Sequence, residues 1–216
     1  MHFDPSGWLI LLPGIIVGLT VHEYAHGYVA DRLGDPTPAY SGRLTLNPLA
    51  HIDLLGFLML LLVRFGWAKP VPINPINFRG NRRAGIALVA LAGPGANLLV
   101  AFTGMLVYYL SFPLGGIAAQ GLGPQMLFAL NYINVILAVF NLIPLPPLDG
   151  SKILSAFLSP PATSWYWQLE RHGPVILVLL LFSGLIGRVL GPAVNLLYGV
   201  LQVVTSGLAG AFLSII

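Results

Sequence analysis

Of the 216 residues, 56% are hydrophobic and 8% charged, against about 25% charged in an ordinary soluble domain, so water is not the main solvent of this chain. The net charge of +3, from 10 Lys and Arg against 7 Asp and Glu, is small, and the basic residues are scattered, which gives nucleic-acid binding no support. The absence of Cys excludes disulfides and thiolate metal sites and leaves His and carboxylate to hold any metal.

The opening residues lack the basic region and small-residue cleavage site of a secretory signal, so the first apolar run is expected to stay in the mature chain. That run, about residues 7–32, is long enough to cross a bilayer, which takes about 20 helical residues. It nevertheless carries His22, Glu23 and His26. Residues 33–50 are rich in Pro, Gly, Ser and Asn, and the alternation at 42–46 predicts a small strand or hairpin. Residues 52–66 are apolar but short, which reads as a re-entrant or interfacial segment. Residues 67–83 alternate Pro with apolar residues, favouring extended backbone, and end in a basic cluster.

A clear span follows at 84–112, then a nearly chargeless turn at 113–123 and another span at about 124–143. Pro144, Pro146 and Pro147 must break that helix, placing Asp149 where a new one begins. Two further spans are expected at about 173–188 and 191–214. The fold class expected is an all-α polytopic membrane protein: five transmembrane helices, one short re-entrant or interfacial helix, and a small strand or hairpin element after the first helix. Residues 1–216 read as one integral-membrane domain, without internal repeat.

The segment His22-Glu23-Tyr24-Ala25-His26 matches the H-E-x-x-H pattern. A spacing of four puts both imidazoles on one helix face, suited to two ligands of a tetrahedral zinc, with the Glu placed to reach a water. Each residue alone has a plainer reading, since a membrane His often bonds a carbonyl. Three ionisable groups within five residues are different, because each charged type costs about 2.5 to 3.5 kcal/mol near the bilayer centre, so the set calls for a cavity, partners or a metal.

A catalytic zinc takes three protein ligands and keeps one position open. Arg32 stands where a third His of the extended H-E-x-x-H-type pattern would fall. Asp31 and Asp35 follow too closely to fold back, and Glu170 beside Arg171 reads as a solvated pair in a polar loop. Asp53, His51 and Asp149 remain. Asp149 is favoured because a span and a proline break precede it, which can deliver a carboxylate to membrane depth. His51 is a candidate gating group or a loop His bonding a carbonyl, and Asp53 a candidate helix cap.

Topology offers a separate test. If 52–66 returns to the side it entered, the carboxyl ends of the first span and of the span before Asp149 face the same side. Arg32, Arg43, Arg64, Lys69, Arg79, Arg82, Arg83, Lys152 and Arg171 are then cytoplasmic and only Arg188 is outside. The amino terminus is expected outside and the metal toward the cytoplasmic face.

The HEYAH helix, the Gly93-Pro94-Gly95-Ala96-Asn97 segment and the stretch from Asn141 through Pro144, Pro146 and Pro147 to Asp149-Gly150 resemble the three signature elements of the site-two protease family of intramembrane metalloproteases. The Asn47–Asp53 loop is also similar to one in small bacterial members. The resemblance implies one zinc ion held by His22, His26 and Asp149, Glu23 as catalytic general base and acid, and Asn97 and Asn141 as polar residues lining the active site. It implies transmembrane protein substrates and a multi-pass protein of a bacterial cytoplasmic membrane, in a minimal form without PDZ-like insertion. Asn97 and Asn141 could equally serve as interhelical glue, while Gly93 and Pro94 read as a kink or close helix contact. The rival classes are a membrane zinc transporter and a catalytically silent protein that binds membrane partners.

Overall fold

The structure, a computed structural model, describes residues 5–63, 66–112, 121–158 and 160–215. Among the described residues eight α-helices follow in chain order: α1 (Pro5–Arg32), α2 (Thr37–Tyr40), α3 (Leu54–Val63), α4 (Arg82–Ser111), α5 (Leu122–Asn141), α6 (Asp149–Phe157), α7 (Pro160–Phe182) and α8 (Leu185–Leu213). Four of them, α1, α4, α5 and α8, are long and apolar enough to cross a membrane. The chain forms two compact units, each drawn from separate stretches of sequence.

Unit 1 comprises Met1–Gly18, Asn97–Phe140 and Val178–Ile216. Its centre is Ala101 and Met105 of α4, Val135 of α5 and Val194 of α8, all buried. The early turns of α1 approach α5 through glycine. A Cβ on Gly14 would lie 2.9 Å from the Leu130 α-carbon, and one on Gly18 would lie 2.7 Å from Leu137. Small residues at this spacing let two backbones meet where no hydrophobic effect drives association. Asn97 is fully buried here. Its amide nitrogen donates to the Gly18 carbonyl (2.9 Å) and to Asn134 Oδ1 (2.8 Å), and Asn134 in turn donates to the Leu130 carbonyl.

Unit 2 comprises Leu19–Ala96 and Asn141–Leu177, with a core of Ala30, Phe78 and Val89. Asp53 caps α3, its Oδ1 accepting from the Gly56 amide at 2.8 Å, as an N-cap carboxylate does. With ten residues α3 is about 15 Å long, half a bilayer core. The chain leaves and rejoins at one place, for Ile52 and Ala68 form an antiparallel bridge and the Lys69 amide donates to the His51 carbonyl at 2.8 Å. Gly56 permits this closure, since a Cβ there would sit 2.2 Å from the Trp67 carbonyl oxygen.

After α1 the loop is organised by Asp35, which is fully buried. Its Oδ1 accepts from the Thr37 hydroxyl (2.5 Å), the Thr37 amide (3.1 Å) and Asn77 Nδ2 (2.8 Å), and its Oδ2 from the Asn74 amide (2.7 Å). Burial alone would raise this carboxyl; the bonds from Thr37, Asn74 and Asn77 outweigh it and hold the group below the ordinary carboxylate value.

Three expectations are corrected. Among the described residues there is no strand. At 42–46, Gly42 takes φ of +69° and the amides of Gly42 and Arg43 bond back to Ala39 and Pro38, so no partner strand forms. The polar stretch expected before residue 173 is the first part of α7, which puts Glu170 on a helix. The span expected at 173–188 is divided between α7 and α8, because the break falls at Gly184, in a left-handed conformation (φ +73°), while Pro192 sits inside α8. Arg64 and residues 113–120 of the expected turn lie outside the described residues.

Two outcomes follow for stability in detergent. Gly14→Ala forces a methyl into the Leu130 backbone and is expected to cost about 1 to 3 kcal/mol, read as a lower Tm, whereas Gly187→Ala in open space does not lower it. For Asp35, whose folded pKa is depressed, the contribution to stability is fully present above the unfolded value near about 3.9 and is lost as pH falls through it toward the folded value. Asp35→Asn is expected to remove this part of the acid-side loss in Tm.

Candidate metal centre

The site is built inside unit 2 from α1, α4 and the start of α6. On α1 the four-residue spacing stacks His22 and His26, whose rings meet edge to face with centroids 4.5 Å apart. Both are buried. Across α4, His26 Nδ1 lies 2.7 Å from the Val89 carbonyl. A carbonyl can only accept, so Nδ1 carries the proton, and in the neutral ring Nε2 is left with a lone pair, as a metal ligand requires.

Asp149 arrives from the break after α5. It is the first residue of α6, where a carboxylate suits the positive end of the helix dipole. Gly150 makes the approach possible, since a Cβ there would lie 2.3 Å from the Leu142 carbonyl oxygen and 2.5 Å from that of Ile143. The Asp149 Oδ2 lies 3.1 Å from His22 Nε2 and 3.0 Å from His26 Nε2, and the two Nε2 atoms are 3.0 Å apart. This oxygen is buried without a hydrogen bond. A tetrahedron with corners about 2.0 to 2.1 Å from its centre has edges of about 3.3 to 3.4 Å, close to this triangle. Two imidazole nitrogens and a carboxylate oxygen are also a donor set that zinc accepts. Among the described residues, His22, His26 and Asp149 form the one group of three able to hold a metal ion.

Glu23 points elsewhere on the same helix turn, its Oε2 accepting from the Val71 amide at 3.0 Å. It lines a cavity of about 400 Å³ together with His22, His26, Asp149, Val71 and Asn141. Lys152 and Glu170 also face this cavity, and the Lys152 ammonium stands 3.4 Å from Asp149 Oδ1, the oxygen turned away from the imidazoles.

Of the residues singled out from sequence, the structure thus gathers His22, Glu23, His26, Asp149 and Asn141 around one cavity. Asn97 is not among them. Both hydrogens of its amide are spent on Gly18 and Asn134, the interhelical bonding that is the alternative reading of its sequence position. His51 is buried in the loop with Nε2 at 2.8 Å from the Thr45 carbonyl, the plainer of its two readings. Glu170 is exposed, as expected, but stands on α7 instead of in a loop and lines the cavity. Val71 and Val89 act through backbone atoms, which no side-chain pattern reveals. Lys152 has a signal in its i, i+3 spacing from Asp149.

Gly93 backs directly onto the imidazoles. A Cβ there would lie 2.5 Å from His26 Nε2 and 2.6 Å and 2.7 Å from His22 Cε1 and Nε2. Gly93→Ala is therefore expected to displace both rings and weaken zinc affinity by about 10-fold or more, measured by competition with a chelator. Gly95→Ala, which meets nothing within 4 Å, is expected to leave affinity unchanged.

Comparison with known proteins finds relatives named zinc metalloproteases. The model of peptidase family M50 matches residues 112–180. A putative zinc metalloprotease of Bacillus subtilis, YwhC, is 40% identical over 198 residues, covering 90% of each chain. Another, Rip2 of Mycolicibacterium smegmatis, is 29% identical over 184 residues, 84% of this chain and 70% of the relative. The zinc metalloprotease MJ0392 of Methanocaldococcus jannaschii is 26% identical over 153 residues, 70% of this chain and 35% of its own. No solved structure matches significantly. With a relative this similar along nearly its whole length, the chain belongs to peptidase family M50, the site-two protease family.

Proposed function

We propose that this chain is an intramembrane zinc protease that hydrolyses peptide bonds in or near transmembrane segments of membrane proteins, as a single domain over residues 1–216. The reading is carried by the convergence of His22, His26 and Asp149 within one buried site, in a family whose curated relatives are named zinc metalloproteases. These three side chains would hold the ion. Zinc supplies, when bound, the Lewis acidity that polarises a carbonyl and makes water acidic near neutral pH.

The remaining chemistry belongs to the chain. Glu23, one residue from a ligand and open to the cavity, takes a proton from water and returns it to the leaving amine. The Val71 amide holds one of its carboxylate oxygens, leaving the other to exchange the proton. Asn141, half-buried on the cavity wall, is placed to donate toward a developing oxyanion. Asn97 is assigned to helix packing, since its donors are already used.

In the membrane, α1, α4, α5 and α8 cross, and α7 is taken as the fifth crossing, entered from the cytoplasmic side, where Glu170 and Arg171 stand on it. The bridge that returns residue 68 to residue 52 supports α3 as a re-entrant or interfacial helix. With the amino terminus outside, the basic residues gather on the cytoplasmic side, and so does the zinc. The bacterial relatives favour a bacterial cytoplasmic membrane. A zinc transporter would distribute its donors along several helices; here they meet at one point.

Purified wild type and Glu23→Gln are to be compared for zinc content and for cleavage of a membrane-helix substrate. Equal zinc with cleavage lowered by about 100-fold or more is the expected result. Undiminished cleavage by Glu23→Gln contradicts the assignment.

A further inference from the structure

We infer that Asp35 is a positioning residue for Glu23, acting through the proline-rich strap of residues 69–78; this rests on the role of Glu23 proposed above. In the strap, Pro70, Pro72 and Pro75 have no amide hydrogen and hold φ near about −65°. Between residues 70 and 75, then, only Val71, Ile73 and Asn74 can donate from the backbone. Two of these three amides go to carboxylates. Val71 donates to Glu23 Oε2 at 3.0 Å and Asn74 to Asp35 Oδ2 at 2.7 Å.

The strap is therefore pinned at two points three residues apart, one on the base and one on Asp35, with Pro72 and its restriction of Val71 between them. Asp35 is itself fixed from its other oxygen by Thr37 and Asn77, so it defines where Asn74 stands. A stiff segment passes that placement on to the Val71 amide. The strap is also a cavity wall, since Pro70, Val71, Ile73 and Phe78 face the space beside Glu23. Its far end is anchored independently, by Phe78 in the Ala30–Val89 core and by the Arg79 amide on the Leu33 carbonyl at 2.8 Å. Loss of Asp35 accordingly frees the middle of the strap without detaching the whole.

Full-length protein is to be assayed on a membrane-helix substrate for kcat, KM and zinc content. Asp35→Asn turns one acceptor into a donor facing amide hydrogens. It is expected to lower kcat by about 10- to 100-fold, the scale of a misplaced catalytic group, with KM nearly unchanged and zinc at the wild-type level. Thr37→Val removes only the 2.5 Å hydroxyl bond and is expected to lower kcat several-fold in the same pattern, while Thr37→Ser restores it. If Asp35→Asn does not fold, the Thr37 pair decides. Wild-type kcat in the folded variants, or a loss confined to KM, overturns the inference. An inactive Glu23→Gln beside a fully active Asp35→Asn sinks this inference alone, whereas an active Glu23→Gln sinks the reading beneath it.

Discussion

Everything in the site depends on three donor atoms standing about 3 Å apart in a buried place: Nε2 of His22, Nε2 of His26 and Oδ2 of Asp149. Such a cluster is costly in an apolar interior, where polar groups lose water and lone pairs repel. A cation removes that cost at once. The surrounding chain is arranged to keep the three atoms together. The Val89 carbonyl fixes the tautomer of His26, Gly93 leaves room for both rings, and Gly150 lets α6 start against the end of α5.

The membrane imposes the rest. Helices satisfy their own backbone, so the chain is helical wherever it is apolar and long. Among the described residues, much of the irregular backbone lies in the segments around the site. The loop after α1, the strap at 69–78 and the proline break before α6 each expose amides and carbonyls, and each spends them on specific partners, among them Glu23, Asp35 and the His51 carbonyl. Polar groups elsewhere in the spans, such as Asn97 and Asn134, bond to one another and to backbone.

Much of this is legible in the sequence. H-E-x-x-H encodes its own geometry through helical spacing, and three prolines before an Asp announce a helix break that can carry a ligand. The short apolar run at 52–66 matches the short helix α3, and Asp53 its cap. What stays hidden falls into two kinds. Backbone contributions, such as the Val71 amide and the Val89 carbonyl, leave no mark in residue identity. The boundary between α7 and α8 differs from the one expected because Gly184 sets it, whereas Pro174 and Pro192 lie inside helices and α7 opens earlier, on Pro160. Alternation at 42–46 suggests pairing, but alternation without a partner strand yields only turns.

X-ray absorption at the zinc edge of the purified, metal-loaded protein reads the ligand set without assuming any activity. If His22, His26 and Asp149 hold the ion, the spectrum shows two imidazoles and oxygen at about 2.0 to 2.2 Å, and one imidazole is lost in His26→Ala. A spectrum with no imidazole scattering, or one that His26→Ala leaves unchanged, would contradict the shared metal centre.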